Sequence, residues 1–218
     1  MKLGVMLPVV ALAGVVACAG AGAQQGSGGA LAPVRRPLSS LASRRILVLP
    51  THFLRPGDSL GFASQITDPD AYLGEVDAEI AFALGNRGLR DRWVFPERLA
   101  EAARRNPTYA PDVHALAAQW LRPPVRRMPE QLPEPFASQV RTLIALEDDS
   151  QYLLFPVEIR FEPAGAGAER AVLNVVLLDA RRSKIVWMGD VMGDSATHFT
   201  PALAASVAEH LADLIAAP

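Results

Sequence analysis

The chain holds one cysteine in 218 residues, so it can close no internal disulfide, and a cysteine-based zinc cluster or dithiol centre is excluded. Lysine is nearly absent: Lys2 and Lys184 are the only two, and arginine carries the remaining positive charge. The formal net charge is −2, too small to steer a polyanion or hold the chain on acidic lipid. Nucleic acid is therefore not an expected partner. The N-terminal apolar core, residues 3–16, is shorter than the roughly 20 residues that a membrane-spanning helix needs. The G-x-S-x-G elbow, the Walker loop and the dinucleotide fingerprint are all missing.

What is present begins at the N-terminus. Lys2 gives a short cationic start, an apolar stretch over residues 3–16 follows, and Val15-Val16-Ala17-Cys18 closes it. This is the pattern of a secretory leader, expected to occupy residues 1–17 and to be removed. The tetrapeptide resembles the lipobox of bacterial lipoproteins. That resemblance implies that the Cys18 thiol is acylated and becomes the first residue of the mature chain, with the bilayer as its partner. More than one acyl chain is enough for stable anchoring. Ala19 is not the aspartate that marks inner-membrane retention in that family, so the resemblance implies an outer-membrane anchor facing the periplasm. The other reading is cleavage after Ala21-Gly22-Ala23, which would discard Cys18 and leave a soluble periplasmic or secreted protein.

Residues 18–40 form the expected tether. Over 19–33 the chain is almost wholly Gly, Ala, Gln and Ser, with no large apolar side chain except Leu31 to offset the entropy of ordering. Fifteen such residues reach roughly 20 Å. Residues 41–218 then fit a single domain with its own core.

Period and punctuation predict its elements. Ile46-Leu47-Val48-Leu49-Pro50 is a strand buried on both faces. After a Gly/Asp/Pro loop at 55–70, a helix is predicted over 70–86, with Asp70 as cap, Leu73, Val76, Ile80, Phe82, Ala83 and Leu84 inward, and Gly88 past its end. Trp93-Val94-Phe95 is a short strand, and Pro96-Glu97 open a helix that stops near Asn106-Pro107. A further helix is predicted over 111–121, carrying Val113, Leu116, Ala117 and Trp120 on one face. Five prolines make 122–135 an irregular connector, and 134–147 is helical again. Strands at 152–161, 171–178 and 184–191 follow, the last two joined by the short turn Asp179–Ser183, and a helix from Thr200 to Ile215 closes the chain. Connections this short make the last strands antiparallel. The fold class is α/β (α+β): a mixed sheet of about five strands with an antiparallel C-terminal meander, packed by helices.

Candidate chemistry is sparse. Of the four histidines, His52, His114, His198 and His210, none shows metal-ligand spacing. His52 follows the first strand, at the carboxyl end where open α/β sheets place their sites. It marks the pocket of an alternative reading, an envelope hydrolase or ligand-binding enzyme. Glu147-Asp148-Asp149 is a solvated helix end, and Asp190 and Asp194 are turn and cap residues. The five arginine doublets, Arg35-Arg36, Arg44-Arg45, Arg104-Arg105, Arg126-Arg127 and Arg181-Arg182, are isolated and suit solvated turns and helix ends. Trp93 and Trp187 fall on predicted apolar faces and are read as core residues, the alternative being one ring exposed as a protein-binding anchor. The prolines at 123–135 suit either a rigid loop or an extended recognition segment. No cofactor, metal or catalytic residue is expected; Cys18 is the one site residue assigned.

The order of elements is similar to a group of bacterial envelope lipoprotein domains. The group includes the N-terminal domain of the Tol-system propeller protein, the curli-secretion lipoprotein and the activator lipoproteins of penicillin-binding proteins. The matching residues are Ile46–Pro50, and Leu178-Asp179-Ala180-Arg181 with Ile185-Val186-Trp187-Met188-Gly189. The resemblance implies a non-catalytic adaptor domain held near the membrane, with another envelope protein or the peptidoglycan-assembly machinery as partner. The helical, proline-rich insert at 96–135 is longer than those domains usually carry, and the curli protein's pore-forming segments have no counterpart here.

Overall fold

A computed structural model of the protein describes residues 36–124, 129–147 and 150–217. Cys18, the leader, most of the tether, Asp148, Asp149 and the Arg126-Arg127 doublet lie outside them. The described chain runs β1 (Ile46–Val48), β2 (Phe53–Leu54), α1 (Pro69–Asn86), α2 (Pro96–Arg105), α3 (Phe136–Leu146), β3 (Tyr152–Gly165), β4 (Ala168–Asp179), β5 (Lys184–Ala196) and α4 (Ala202–Ile215). The sheet order is β1-β3-β4-β5, with β2 beside β1 on β3. β1 and β2 pair parallel to β3, and β3-β4-β5 is the antiparallel meander. The fold is α+β.

β3 and β4 are buried on both faces, because each face carries its own apolar core. Leu154, Ile159, Phe161, Leu173, Val175 and Leu177 face α1 and α4. Leu153, Phe155, Val157, Val176 and Leu178 face α2, α3 and the segment 110–121. The alternation changes phase at a register shift between Pro156 and Glu158, where one extra residue turns the odd positions of β3 from one core to the other. Pro156 stands in the gap where β1 has ended and β2 has not begun, a place where a strand tolerates proline.

β1 ends the main strand order, yet all three of its residues are buried. Its outer side is closed by one residue: Val48 N–H donates to Val94 O at 2.8 Å, and Val94 N–H to Ile46 O at 2.9 Å. The strand expected at 93–95 is therefore a single bridge, Leu47 with Val94. Chain reversal starts at once after it, since Phe95 already stands at the entrance to α2.

Three other expectations are corrected. α1 is capped by Asp68, whose side chain accepts from Ala71 N–H at 3.0 Å, with Pro69 in the first turn and Asp70 merely inside it. Leu73, Val76, Ile80, Ala83 and Leu84 point inward as expected, but Phe82 is 56% exposed. The helix over 111–121 does not form, and only a 3-10 turn, Gln119–Leu121, is present there. Asp112 Oδ1 accepts from His114 N–H at 3.0 Å, and Ala117 N–H donates to Gln139 Oε1 at 2.9 Å. Side-chain acceptors thus take the donors that a helix would use. Val113, Leu116 and Leu121 are still buried, so their spacing reflects burial and not helical winding.

The far half of the meander carries charge on the face away from α1 and α4. Buried Glu158 is paired with Arg55 at 2.5 Å and Arg122 at 2.7 Å. Arg160 bonds Asp190 at 2.7 Å and Glu162 at 2.6 Å, and Asn174 donates to Asp190 at 2.8 Å. Asp190 and Asp194 lie within β5 and not in a turn. Asp190 is held below the usual carboxylate range by its bonds to Arg160 and Asn174, which outweigh the opposing effect of burial. Glu147 is likewise not solvated: its Oε2 accepts from Arg45 at 2.7 Å and Arg98 at 3.2 Å. The loop after β2 is fixed in the same way, with Glu169 of β4 accepting from Ser59 N–H, Ser59 Oγ and Leu60 N–H. At the other end of the fold Leu38 packs in the first core and donates its N–H to Leu214 O, so the last residues of the expected tether belong to the folded part.

α4 approaches β5 most closely at Gly193, where a Cβ would stand 2.6 Å from Ser206 Oγ and 2.7 Å from Val207 Cγ2. Gly193→Ala must push the helix outward and should cost about 1–3 kcal/mol. Gly74, in α1, has no atom within 4 Å of a built Cβ, so Gly74→Ala should gain up to about 1 kcal/mol of helix stability. Urea unfolding of the two variants should shift in opposite directions; a shift of the same sign contradicts this packing.

Candidate functional site

The candidate site lies at the carboxyl end of β1. Leu49 and Pro50 follow the strand, and the next residue, Thr51, is buried and turns back on α1. Its N–H and its Oγ1 both donate to Asp77 Oδ1, at 2.8 and 2.7 Å. Asp77 stands one helical turn beyond Leu73, on the flank of the stripe that α1 buries. Burial pushes its carboxyl up to about 7 from an ordinary 3.8, and the two Thr51 bonds offset only part of that.

His52 follows. Its Nδ1–H donates to the Pro50 carbonyl at 2.9 Å, an acceptor that fixes the tautomer. The ring packs edge-on against Phe155 with centroids 4.7 Å apart. Burial holds its pKa below the ordinary value against the Pro50 bond, and the nearby His114 adds to the lowering. The neutral ring therefore keeps a lone pair on Nε2, which is buried and without a protein partner.

A cavity of about 370 Å³ opens between these groups, lined by Thr51, His52, Asp70, Leu73, Gly74, Asp77 and His114. Gly74, Asp77 and His114 also border a second cavity, about 330 Å³, which runs on past Ala78 and Ala81 of α1 to Phe95 and Pro96. His114 borders a third, about 500 Å³, between α2 and residues 107–113. α1 packs on one core and α2 on the other. The chain of cavities thus lies where the two helical layers meet beyond β1.

Of the histidines singled out in the sequence, His52 and His114 are brought to the same cavity. His114 sits in a turn and not in a helix. His198 bonds Thr197, and His210 on α4 bonds the Met192 carbonyl; neither borders the cavity. Trp93 is buried, while Trp187 is half-buried against the first core, so neither presents a free ring. The connector's described residues pack as a surface loop, with Leu132 buried and its N–H donating to Ser183 O. Asp77 and Thr51 were not singled out. A carboxylate beside Val76 and one turn from Leu73 and Ile80 was the available signal, since the buried flank of an amphipathic helix is normally apolar.

The arrangement offers a proton-exchanging carboxyl near neutrality beside a neutral imidazole. No hydrogen bond joins the imidazole ring of His52 or of His114 to a carboxylate among the described residues, and the Thr51 hydroxyl is spent on Asp77. Nor do three or more of the described His, Cys, Asp and Glu residues group as metal ligands.

No family model matches the chain, and no curated protein matches its sequence. Solved structures do match. The LpoB C-terminal domain from Salmonella enterica is 16% identical over 75% of this chain and 95% of its own, with a TM-score of 0.37. A PelC dodecamer from Paraburkholderia phytofirmans is 14% identical over 80% of this chain and 89% of its own, at 0.36. Lipoprotein GNA1162 from Neisseria meningitidis is 16% identical over 72% of this chain and 81% of its own, at 0.33. These similarities concern the arrangement of the chain; the site is described by its own geometry.

The raised Asp77 carboxyl has a consequence for stability. From about pH 4 to 7 the folded chain holds a proton that the unfolded chain has released, so this group's contribution falls as pH rises through that window. Asp77→Asn keeps the Oδ1 acceptor and removes the titration. The variant should gain on the wild type between pH 5 and pH 8 by about 1 kcal/mol or more, measured by urea unfolding at both values. A gap that does not change with pH contradicts the assignment.

Proposed function

We propose that this chain is a bacterial envelope lipoprotein whose single α+β domain serves as a non-catalytic binding module for another envelope component. The observation that carries the proposal is Val15-Val16-Ala17-Cys18: the only cysteine of the chain stands at the end of an apolar leader, where an acylation site must be. Acylation there puts a glyceride on the mature N-terminus and leaves the Gly/Ala/Gln segment as the link to the domain. Ala19 directs the anchor to the outer membrane, with the domain in the periplasm. No described helix is long and apolar enough to cross a membrane, which fits attachment by lipid. The peptidoglycan-assembly machinery, or a protein that works with it, is the partner class that the order of elements favours.

One observation favours a second reading, an envelope hydrolase or ligand-binding enzyme: Asp77 titrates near neutrality beside His52 and His114. Neither the His52 ring nor the His114 ring is hydrogen-bonded to a carboxylate among the described residues, which weighs toward binding.

Labelling cells with tritiated palmitate tests the anchor. The wild-type chain should carry label and Cys18→Ser should carry none. A wild-type chain without label contradicts the proposal.

A further inference from the structure

The cavity at the end of β1 has an uneven stock of hydrogen-bonding groups. Asp77 has one oxygen saturated by the two Thr51 donors, and its other oxygen is not among the buried, unpartnered atoms, so it remains open to a guest. Asp70 adds a second carboxylate to the wall. Against these acceptors, no lysine or arginine borders the cavity. A guest that satisfies the site must bring donors and positive charge.

The adjoining cavity has the opposite character. It shares Asp77 and His114 and continues between the small side chains Gly74, Ala78 and Ala81 and the apolar Phe95 and Pro96, with Arg90 and Glu97 also in its wall. That wall suits an unbranched methylene chain, which gains about 0.8 kcal/mol for each buried group. A head that donates and a stem that does not are thus accommodated side by side.

We infer that this pair of cavities binds a primary ammonium group on a short aliphatic chain, its head between Asp77 and Asp70 and its stem along Gly74, Ala78 and Phe95. Two of its three N–H donors meet the carboxylates of Asp77 and Asp70, and the third is left to water. The lipid anchor plays no part in this inference, which stands or falls separately. The carboxylate of Asp77 must be ionised to hold the cation, so binding expels a proton wherever the free protein still carries one. The charged and titratable groups that line the two cavities with Asp77 set that balance: His52 beside Thr51, Asp70 on α1 and His114 on the opposing segment, with Arg90 and Glu97 along the stem channel, while Asp112 acts on His52.

Calorimetric titration of the mature protein with n-butylamine, and with n-butanol and n-butyrate for comparison, tests the inference. Butylamine should bind at one site, roughly tenfold tighter at pH 8 than at pH 6, and the alcohol and acid should give no saturable heat. Asp77→Asn should weaken the amine at least tenfold. Gly74→Leu, built into open space, should abolish binding with folding intact, and it decides the matter if the Asn variant does not fold. The inference is overturned if butylamine gives no saturable heat at either pH, if the alcohol binds equally well, or if a folded Asp77→Asn or Gly74→Leu variant binds as the wild type does.

Discussion

The structure depends on the burial of β3 and β4 from both sides. A chain with no possible disulfide must hold itself together by apolar contact alone, and these two strands form the wall that both cores share. Their pairing runs from Tyr152 with Asp179 to Gly165 with Ala168. Each residue removed from water on one face brings a neighbour removed on the other. The placement of the helices follows: α1 and α4 close one side, α2 and α3 the other. Where the layers converge beyond β1 they do not fill the space, and the cavities around His114 are what remains.

Polar groups inside this frame are placed where they fix one arrangement. Glu158 between Arg55 and Arg122 ties the segments on either side of α1 and α2 to the central strand. Glu169 pins the loop after β2, and Glu147 draws Arg45 and Arg98 to the end of α3. A buried carboxylate with two arginines contributes little net stability once its desolvation is counted, whereas a lone one is strongly destabilising. Asp77 differs from them: its donors are Thr51 N–H and Oγ1, and it makes no salt bridge among the described residues. Its burial shows as a raised carboxyl, and a cation is the guest inferred for it.

The meander, the four helices that formed and the parallel first strand were legible because each is a local pattern. Ile46–Pro50 is a continuous apolar run, and α1, α3 and α4 show helical spacing with proline or glycine near their ends. What was not legible depended on partners distant in sequence. The stripe Val113, Leu116, Ala117 suggested a helix, but Gln139, 22 residues on, takes the Ala117 N–H. Glu147 looked solvated because Arg45, 102 positions earlier, cannot be seen from its own helix. β2, two residues long, has no period to detect. Of the candidate site, His52 was found by its position after a strand, and Asp77 was missed because its meaning lies in Thr51, 26 residues before it.

In the proposed lipoprotein two tasks are separate: an acylated Cys18 would hold the chain at a membrane surface, and the folded part would offer its cavities and edges to a partner there. The intact mass of the mature protein recovered from a membrane fraction is the most direct measurement. The account predicts a chain that begins at Cys18 and carries the added mass of a diacylglyceryl group. An unmodified polypeptide beginning at Gln24, found in the soluble fraction, would contradict it.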